Sequence, residues 1–247
     1  RRWLDPAEAA ELGRLDPLAI EQVRQEAWPT VRSVDELHEA LLLLGFLTAE
    51  EGQVGDGEFS WEPYFAQLQQ AGRAAILRRP DTDAVLWVAA ERLPEFEALF
   101  PKFDLQPRIH FPDRLLRKEM EDTLARKELL RGRMEALGPV TTWVLAESMG
   151  IAPSEAEYAM LALEAEGFVF RGNYTPSGEE EWCERRLLSR IHRYTVKTLR
   201  AEIQPVNPAT YMRFLFEWQK VSQHDNLQGP ESLLEIVQQM EGYEAPA

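Results

Sequence analysis

The chain has 247 residues, 45% of them hydrophobic, and a formal net charge of −15 from 42 acidic and 27 basic side chains. That length holds two or three small domains, and the apolar content excludes a disordered tail. The acidic balance excludes a free-standing DNA reader of the usual basic kind. The single cysteine, Cys183, excludes an intrachain disulfide and fits a reducing, cytoplasmic compartment. No apolar run reaches the roughly 18 residues of a membrane span, so no membrane partner is expected. The opening Arg1-Arg2-Trp3 has no methionine and resembles no signal peptide, so the chain is expected to be a piece of a longer protein.

Residues 1–32 read as a helical lead-in. Asp5-Pro6 and Asp16-Pro17 each pair a capping carboxylate with a proline suited to a first helical turn. Residues 33–100 form a first block. Ser33 and Glu36 have capping-box spacing ahead of Leu37, Ala40, Leu41 and Leu44, and Gly45 stops that helix. The acidic, glycine-rich Glu51–Ser60 stretch reads as a loop or a degraded second helix. Trp61–Gln70 reads as a third helix. Ala74–Leu77 and Ala84–Val88 flank Pro80-Asp81 as a hairpin. Residues 101–112, with Pro101, Pro107 and Pro112, read as a linker.

A second block covers 113–184. It has a long helix from Leu115 to Leu137, a helix from Thr142 to Met149 capped by Thr141, and a third helix from Pro153. Phe168-Val169-Phe170 and the stretch before Trp182 then flank a turn at Thr175–Gly178. Residues 185–247 are helical again, over 186–203, about 208–221 and 231–241.

The two blocks repeat one pattern. Leu44-Gly-Phe-Leu-Thr48 answers Leu137-Gly-Pro-Val-Thr141, and Leu68-x-x-x-Gly72 answers Leu163-x-x-x-Gly167. Each glycine of the second pair precedes a tryptophan, Trp87 or Trp182, by 15 residues, and Glu91-Arg92 and Glu184-Arg185 follow. Helices, a glycine stop and a two-stranded hairpin are the winged-helix plan written twice. The expected fold is therefore mainly α with small β-hairpin wings, an α+β tandem array. The helices of 185–247 fit an incomplete third unit.

In a DNA-reading winged helix, the third helix carries basic or amide side chains to the base edges. Trp61–Gln70 has no Lys or Arg, and Pro153–Glu166 carries Glu155, Glu157, Glu164 and Glu166 without a cation. Sequence-specific readout by these helices is not expected. The exception lies just after the second block. Arg186, Arg190, Arg193, Lys197 and Arg200 are spaced 4, 3, 4 and 3 apart, which sets all five on one helical face. Leu187, Ile191, Tyr194 and Thr198 form an adjacent packing face. No acid falls between Arg185 and Ala201. Such a stripe needs a counter-charge, either a phosphate backbone or an acidic protein surface. Arg78 and Arg79 beside the first hairpin tip, and Arg171 near the second, join it as candidate nucleic-acid contacts. The helix ending at Leu137 mixes seven basic residues, counted from Arg114, with Glu119, Glu121, Asp122 and Glu128, and reads as a solvated face laced with i,i+4 pairs.

Catalytic patterns are missing. There is no phosphate-binding G-x-x-x-x-G-K-[ST] motif, and His38, His110, His192 and His224 lack metal-ligand spacing. No catalytic residue, metal or cofactor is expected.

The run Glu181-Trp-Cys-Glu-Arg-Arg-Leu-Leu-Ser-Arg-Ile-His-Arg-Tyr-Thr195, with Leu163–Val169, Gln204-Pro-Val206 and Arg213–Gln219, resembles the large helicase-related (Lhr) family, and Asp35–Leu41 resembles a segment just upstream. The resemblance implies a parent with an ATP- and Mg-dependent superfamily-2 motor that moves 3′-to-5′ on single-stranded DNA, unwinds RNA:DNA hybrids and serves DNA repair in bacteria. The pieces matched here are those of its C-terminal extension, a winged-helix array linked to homo-oligomerisation. The motor motifs are missing from this chain, so ATP hydrolysis and unwinding are not expected of it. Glycosylase chemistry of some relatives falls on no residue here. The implied role is a non-catalytic scaffold that positions the motor and guides single-stranded DNA or an RNA:DNA hybrid weakly and without sequence preference. The alternative is an acidic tandem winged-helix module that binds protein, as in chromosome-condensing complexes.

Overall fold

The structure, a computed structural model, describes residues 15–109, 120–202 and 206–218, with Pro230, Leu234 and Val237 beyond them. The lead-in helix expected at Asp5-Pro6 and most of the one at 231–241 lie outside the described residues. Residues 1–198 form one compact unit and 199–247 a second. Both contain helix, and the first adds two small antiparallel sheets, so the fold is α+β.

The first helix, α1 (Pro17–Ala27), starts as its sequence dictates, with the Asp16 carboxylate accepting from Leu18 N at 2.9 Å. Helix α2 (Val34–Leu44) follows. Ser33 Oγ accepts from Glu36 N at 3.2 Å, while the Glu36 carboxylate reaches past Ser33 to accept from Arg32 N at 2.6 Å, so the expected box is half formed. Strand β1 (Leu47–Thr48) leads into α3 (Ala49–Val54). The second helix is therefore present, though short. Its complete capping box is Thr48 with Glu51, the latter opening the stretch expected to be a loop or a degraded helix. Helix α4 (Glu62–Gln70), strands β2 (Ala74–Arg78) and β3 (Val85–Ala89), a 3-10 turn at Ala90–Arg92 and α5 (Leu93–Leu99) complete the block.

The expected linker contributes structure. Strand β4 (Asp104–Gln106) pairs antiparallel with β2 and extends the first sheet to the order β1-β3-β2-β4. The long helix begins later than expected, as α6 (Asp122–Leu137), with Glu121 at its N-cap; residues 115–119 lie outside the described residues. Then come β5 (Val140–Thr141), α7 (Thr142–Met149), α8 (Pro153–Ala165), β6 (Val169–Gly172), β7 (Glu181–Glu184) and α9 (Arg185–Glu202). The second sheet has the order β5-β7-β6.

Several bonds recur at matching places in the two blocks. Leu47 pairs with Trp87 and Val140 with Trp182. Arg73 N donates to Leu68 O, and Phe168 N donates to Leu163 O. Gly72 and Gly167 have φ of 68° and 69°, a left-handed turn open to glycine at little cost. Ala90 N donates to Arg73 O where Arg185 N donates to Phe168 O, so Ala90 answers Arg185. The Glu-Arg pairs are thus out of register, since Glu91-Arg92 sits in the 3-10 turn while Glu184 ends β7 and caps α9.

The two blocks share a core. Phe46, Leu77, Leu86 and Phe96 of the first pack in one buried cluster with Leu129, Met134, Leu145, Met160 and Trp182 of the second. Helix α6 is the shared wall. Gly132 lies so close to α2 that a β-carbon there would collide with the Leu43 carbonyl oxygen. Arg133, 1% exposed, pairs with Glu51 of α3 and donates from Nη1 to Phe46 O at 3.3 Å. The expectation of a solvated face on this helix is corrected: Arg126 and Arg133 are buried, and Arg126 pairs with Glu155 on α8 at 2.9 Å. Helix α1 is more than a lead-in. Ile20 and Val23 pack on Leu187 and Ile191 of α9, and Arg24 Nε donates to Leu137 O at 3.1 Å.

In the second unit, α10 (Pro208–Trp218) starts with Asn207 Oδ1 accepting from Ala209 N at 2.8 Å. Tyr211, Phe214 and Trp218 stack along one side of it.

Candidate nucleic-acid interface

Helix α9 is set by its own first turn. The buried Glu184 carboxylate accepts from Arg186 N at 2.7 Å and from Leu187 N at 2.9 Å, which satisfies two of the helix's orphan donors. Leu187, Ile191 and Thr195 then turn inward, and Asp16 N donates to Thr195 Oγ1 at 3.0 Å. Thr195 takes the inward place expected of Thr198, which is exposed. With that face fixed, the period of the helix turns the stripe outward. Arg186, Arg193, Lys197 and Arg200 are exposed. Their side chains make no ion pair among the described residues, although Arg193 lies over the Tyr194 ring at 5.5 Å. Arg190 is different. It pairs with Glu26 of α1, whose carboxyl is held below the ordinary range by Gln22 first and then by Arg190 and Tyr194.

The hairpin arginines are less free. Arg79 grips Asp81 through two bonds of 3.1 and 2.6 Å, donates to Gly150 O, and lies 4.1 Å over the Phe100 ring. Its side chain is 13% exposed, and it ties the first hairpin to the end of α7 in the second block. Arg78 is exposed and donates to Gln106 Oε1 at 3.2 Å. Arg171 lies between Glu164 at 3.6 Å and Glu180 at 3.5 Å, over the Trp182 ring.

The third helices are also engaged from within. On α8, Glu155 pairs with Arg126, Glu164 with Arg171, and Glu166 with both Lys127 and Arg131. Lys127 and then Arg131 hold the Glu166 carboxyl below the usual carboxylate range. The residues this helix shows to solvent include Ser154, Glu157, Tyr158 and Leu161, with Glu166 exposed just past its end. Three of these four carboxylates are thus paired within the molecule while still part-exposed, a fact hidden from a count of carboxylates along the sequence.

His38 joins a network as well. Arg73 Nη2 donates to His38 Nδ1 at 2.8 Å, leaving Nε2 to donate to Glu91 Oε2 at 3.1 Å. Cys183 is fully buried, and burial pushes its thiol up to about 12. Among the described residues, no group of three or more His, Cys, Asp or Glu could hold a metal ion, and no helix is long and apolar enough to cross a membrane.

An acidic α+β chain with one outward basic helix is the class this geometry defines. A family model described as "Large helicase-related protein, winged-helix domain", and labelled as the third such domain, matches residues 206–247. A protein of Mycolicibacterium smegmatis called "Lhr helicase/ probable uracil glycosylase" is 31% identical over 111 residues. That match covers 44% of this chain and 7% of the relative, so the chain corresponds to a small part of that protein. The chain resembles the C-terminal region of the Lhr family.

Proposed function

We propose that this chain is a non-catalytic part of an Lhr-type helicase, with tandem winged-helix domains over 33–100 and 113–184 and the start of a third in 185–247. Its role is to position a motor that supplies ATP- and Mg-dependent 3′-5′ translocation, to join protomers, and to guide single-stranded DNA or an RNA:DNA hybrid during repair in the bacterial cytoplasm. The observation that carries this reading is the contrast in pairing. Many cations elsewhere in the first unit, among them Arg73, Arg79, Arg92, Lys127, Arg131 and Arg133, are matched to carboxylates, while Arg78 meets only the Gln106 amide oxygen. Arg186, Arg193 and Lys197 stand exposed on one face without such a match among the described residues. Exposed like charges along a helix repel one another, and a polyanion relieves that.

The test is charge reversal at Arg186, Arg193 and Lys197 together, read by fluorescence anisotropy on single-stranded DNA across a salt series. Each lost phosphate contact lowers the slope of log affinity against log salt by about 0.7, so the triple variant should lose about 2. An unchanged slope and affinity would remove the stripe from the interface. A second reading, protein docking, draws on an open groove of about 830 Å³. Its lining includes the exposed Val54 and Val144 and the carboxylates of Glu21, Glu50 and Glu58. Native mass spectrometry of the chain with and without a candidate protein separates the two readings.

A further inference from the structure

Beside the stripe lies a second feature. An open pocket of about 510 Å³, within the size of small-ligand sites, separates the second hairpin from the first half of α9. The hairpin side supplies Phe170, Asn173 and Tyr174, and the helix supplies Arg185, Ser189 and His192. Those three helix residues follow i, i+4, i+7 spacing and so share one face, next to the face of Arg186, Arg193 and Lys197.

The lining includes no carboxylate, in a chain of net charge −15. Phe170 alternates outward from the buried Val169 on β6 and is 43% exposed, an aromatic face left open. Arg185, Ser189 and His192 make no side-chain hydrogen bond or ion pair among the described residues. Asn173 Nδ2 donates to Gly178 O at 3.3 Å, which leaves its amide oxygen able to accept. Burial holds the Tyr174 hydroxyl at about 12, so it is protonated at neutral pH. An apolar ligand would leave Arg185 and the amide unmatched, and a small inorganic anion would leave Phe170 unused.

We propose that this pocket holds one unstacked nucleobase of a single strand whose phosphates follow the α9 stripe. Phe170 is the stacking platform, Asn173 and Ser189 meet the base edge, and Arg185 and His192 meet the adjoining phosphate. A π-face accepts any base, so the site adds affinity and register without sequence preference. The proposal rests on the nucleic-acid reading of α9.

The experiment uses the 247-residue chain and two fluorescent probes, an oligothymidylate of about 12 nucleotides and an abasic strand with the same number of phosphates. Phe170→Ala should weaken oligothymidylate binding about tenfold, the effect of losing one stacked base, and leave abasic binding and the salt slope unchanged. Phe170→Trp should restore it. Charge reversal on the stripe should weaken both probes. If Phe170→Ala binds oligothymidylate like the parent while stripe reversal weakens both probes, the pocket proposal fails and the stripe stands. If stripe reversal changes neither probe, the stripe reading fails, and the pocket proposal, which sets the phosphates on that stripe, falls with it. Equal loss of both probes in Phe170→Ala, with circular dichroism unchanged, would also overturn the base-stacking role.

Discussion

Helices α6 and α9 are both rich in Arg and Lys, and they use them in opposite ways. On α6, Arg126, Lys127, Arg131 and Arg133 each meet a carboxylate from another element, Glu155, Glu166 or Glu51. On α9, Arg186, Arg193, Lys197 and Arg200 point to solvent, and only Arg190 of the stripe is matched, to Glu26. A basic residue is thus no sign of an interface by itself. A cation locked against an acid inside the fold is costly to separate from its partner, whereas one left unmatched on an exposed helix face is available to another molecule.

The contrast predicts that α6 variants change stability and α9 variants change binding. The largest effect should come from Arg133→Ala. It empties a fully buried site and strips Glu51 of its partner, costing about 3–5 kcal/mol in urea unfolding. A loss below about 1 kcal/mol would mean that Arg133 does not hold the blocks together. Gly132→Ala should come next, at about 1–3 kcal/mol, because its new methyl group meets the Leu43 carbonyl. On α9, the triple reversal of Arg186, Arg193 and Lys197 should leave unfolding within about 0.5 kcal/mol per site while it reduces DNA affinity and salt slope. A large loss of stability there would break the comparison.

Glu166→Gln probes the exposed end of the α6 network and should cost at most about 1 kcal/mol at neutral pH. Its folded-state carboxyl is depressed, so the contribution is present above 4.5 and lost as pH falls through the lower folded value. Wild type and variant should therefore converge in acid unfolding below that point. The smallest effect is chemical. Cys183, its thiol raised to about 12, should resist thiol reagents at pH 8 until the chain unfolds. Rapid labelling of the folded chain would show that the α1–α9 seam opens.

Much of the fold was legible. The helix stop at Gly45, the caps at Asp16 and Thr141 and the hairpin spacing follow from local chemistry, and the structure keeps them. Strand β4 was not legible, because Asp104–Gln106 has no alternation of its own and exists through pairing with β2. The candidate site divides the same way. The 4, 3, 4, 3 spacing of the stripe gave its face, but nothing near Arg79 announces Gly150, 71 residues away, as its partner. Phe170 and Arg185 gave no signal either, since they meet only when β6 and α9 come together.

The sequence alone therefore determined the repeat, the helix boundaries that depend on caps and glycines, and the one-sided charge of α9. All of these arise from neighbours within a turn or two. Tertiary structure alone decided which charges are spent inside the molecule. Pairing of Arg133 with Glu51, or of Glu166 with Lys127 and Arg131, requires distant segments to be brought within a few ångströms. Electrostatic attraction at that range is strong and at larger separations is screened, so the role of each arginine was settled by the fold.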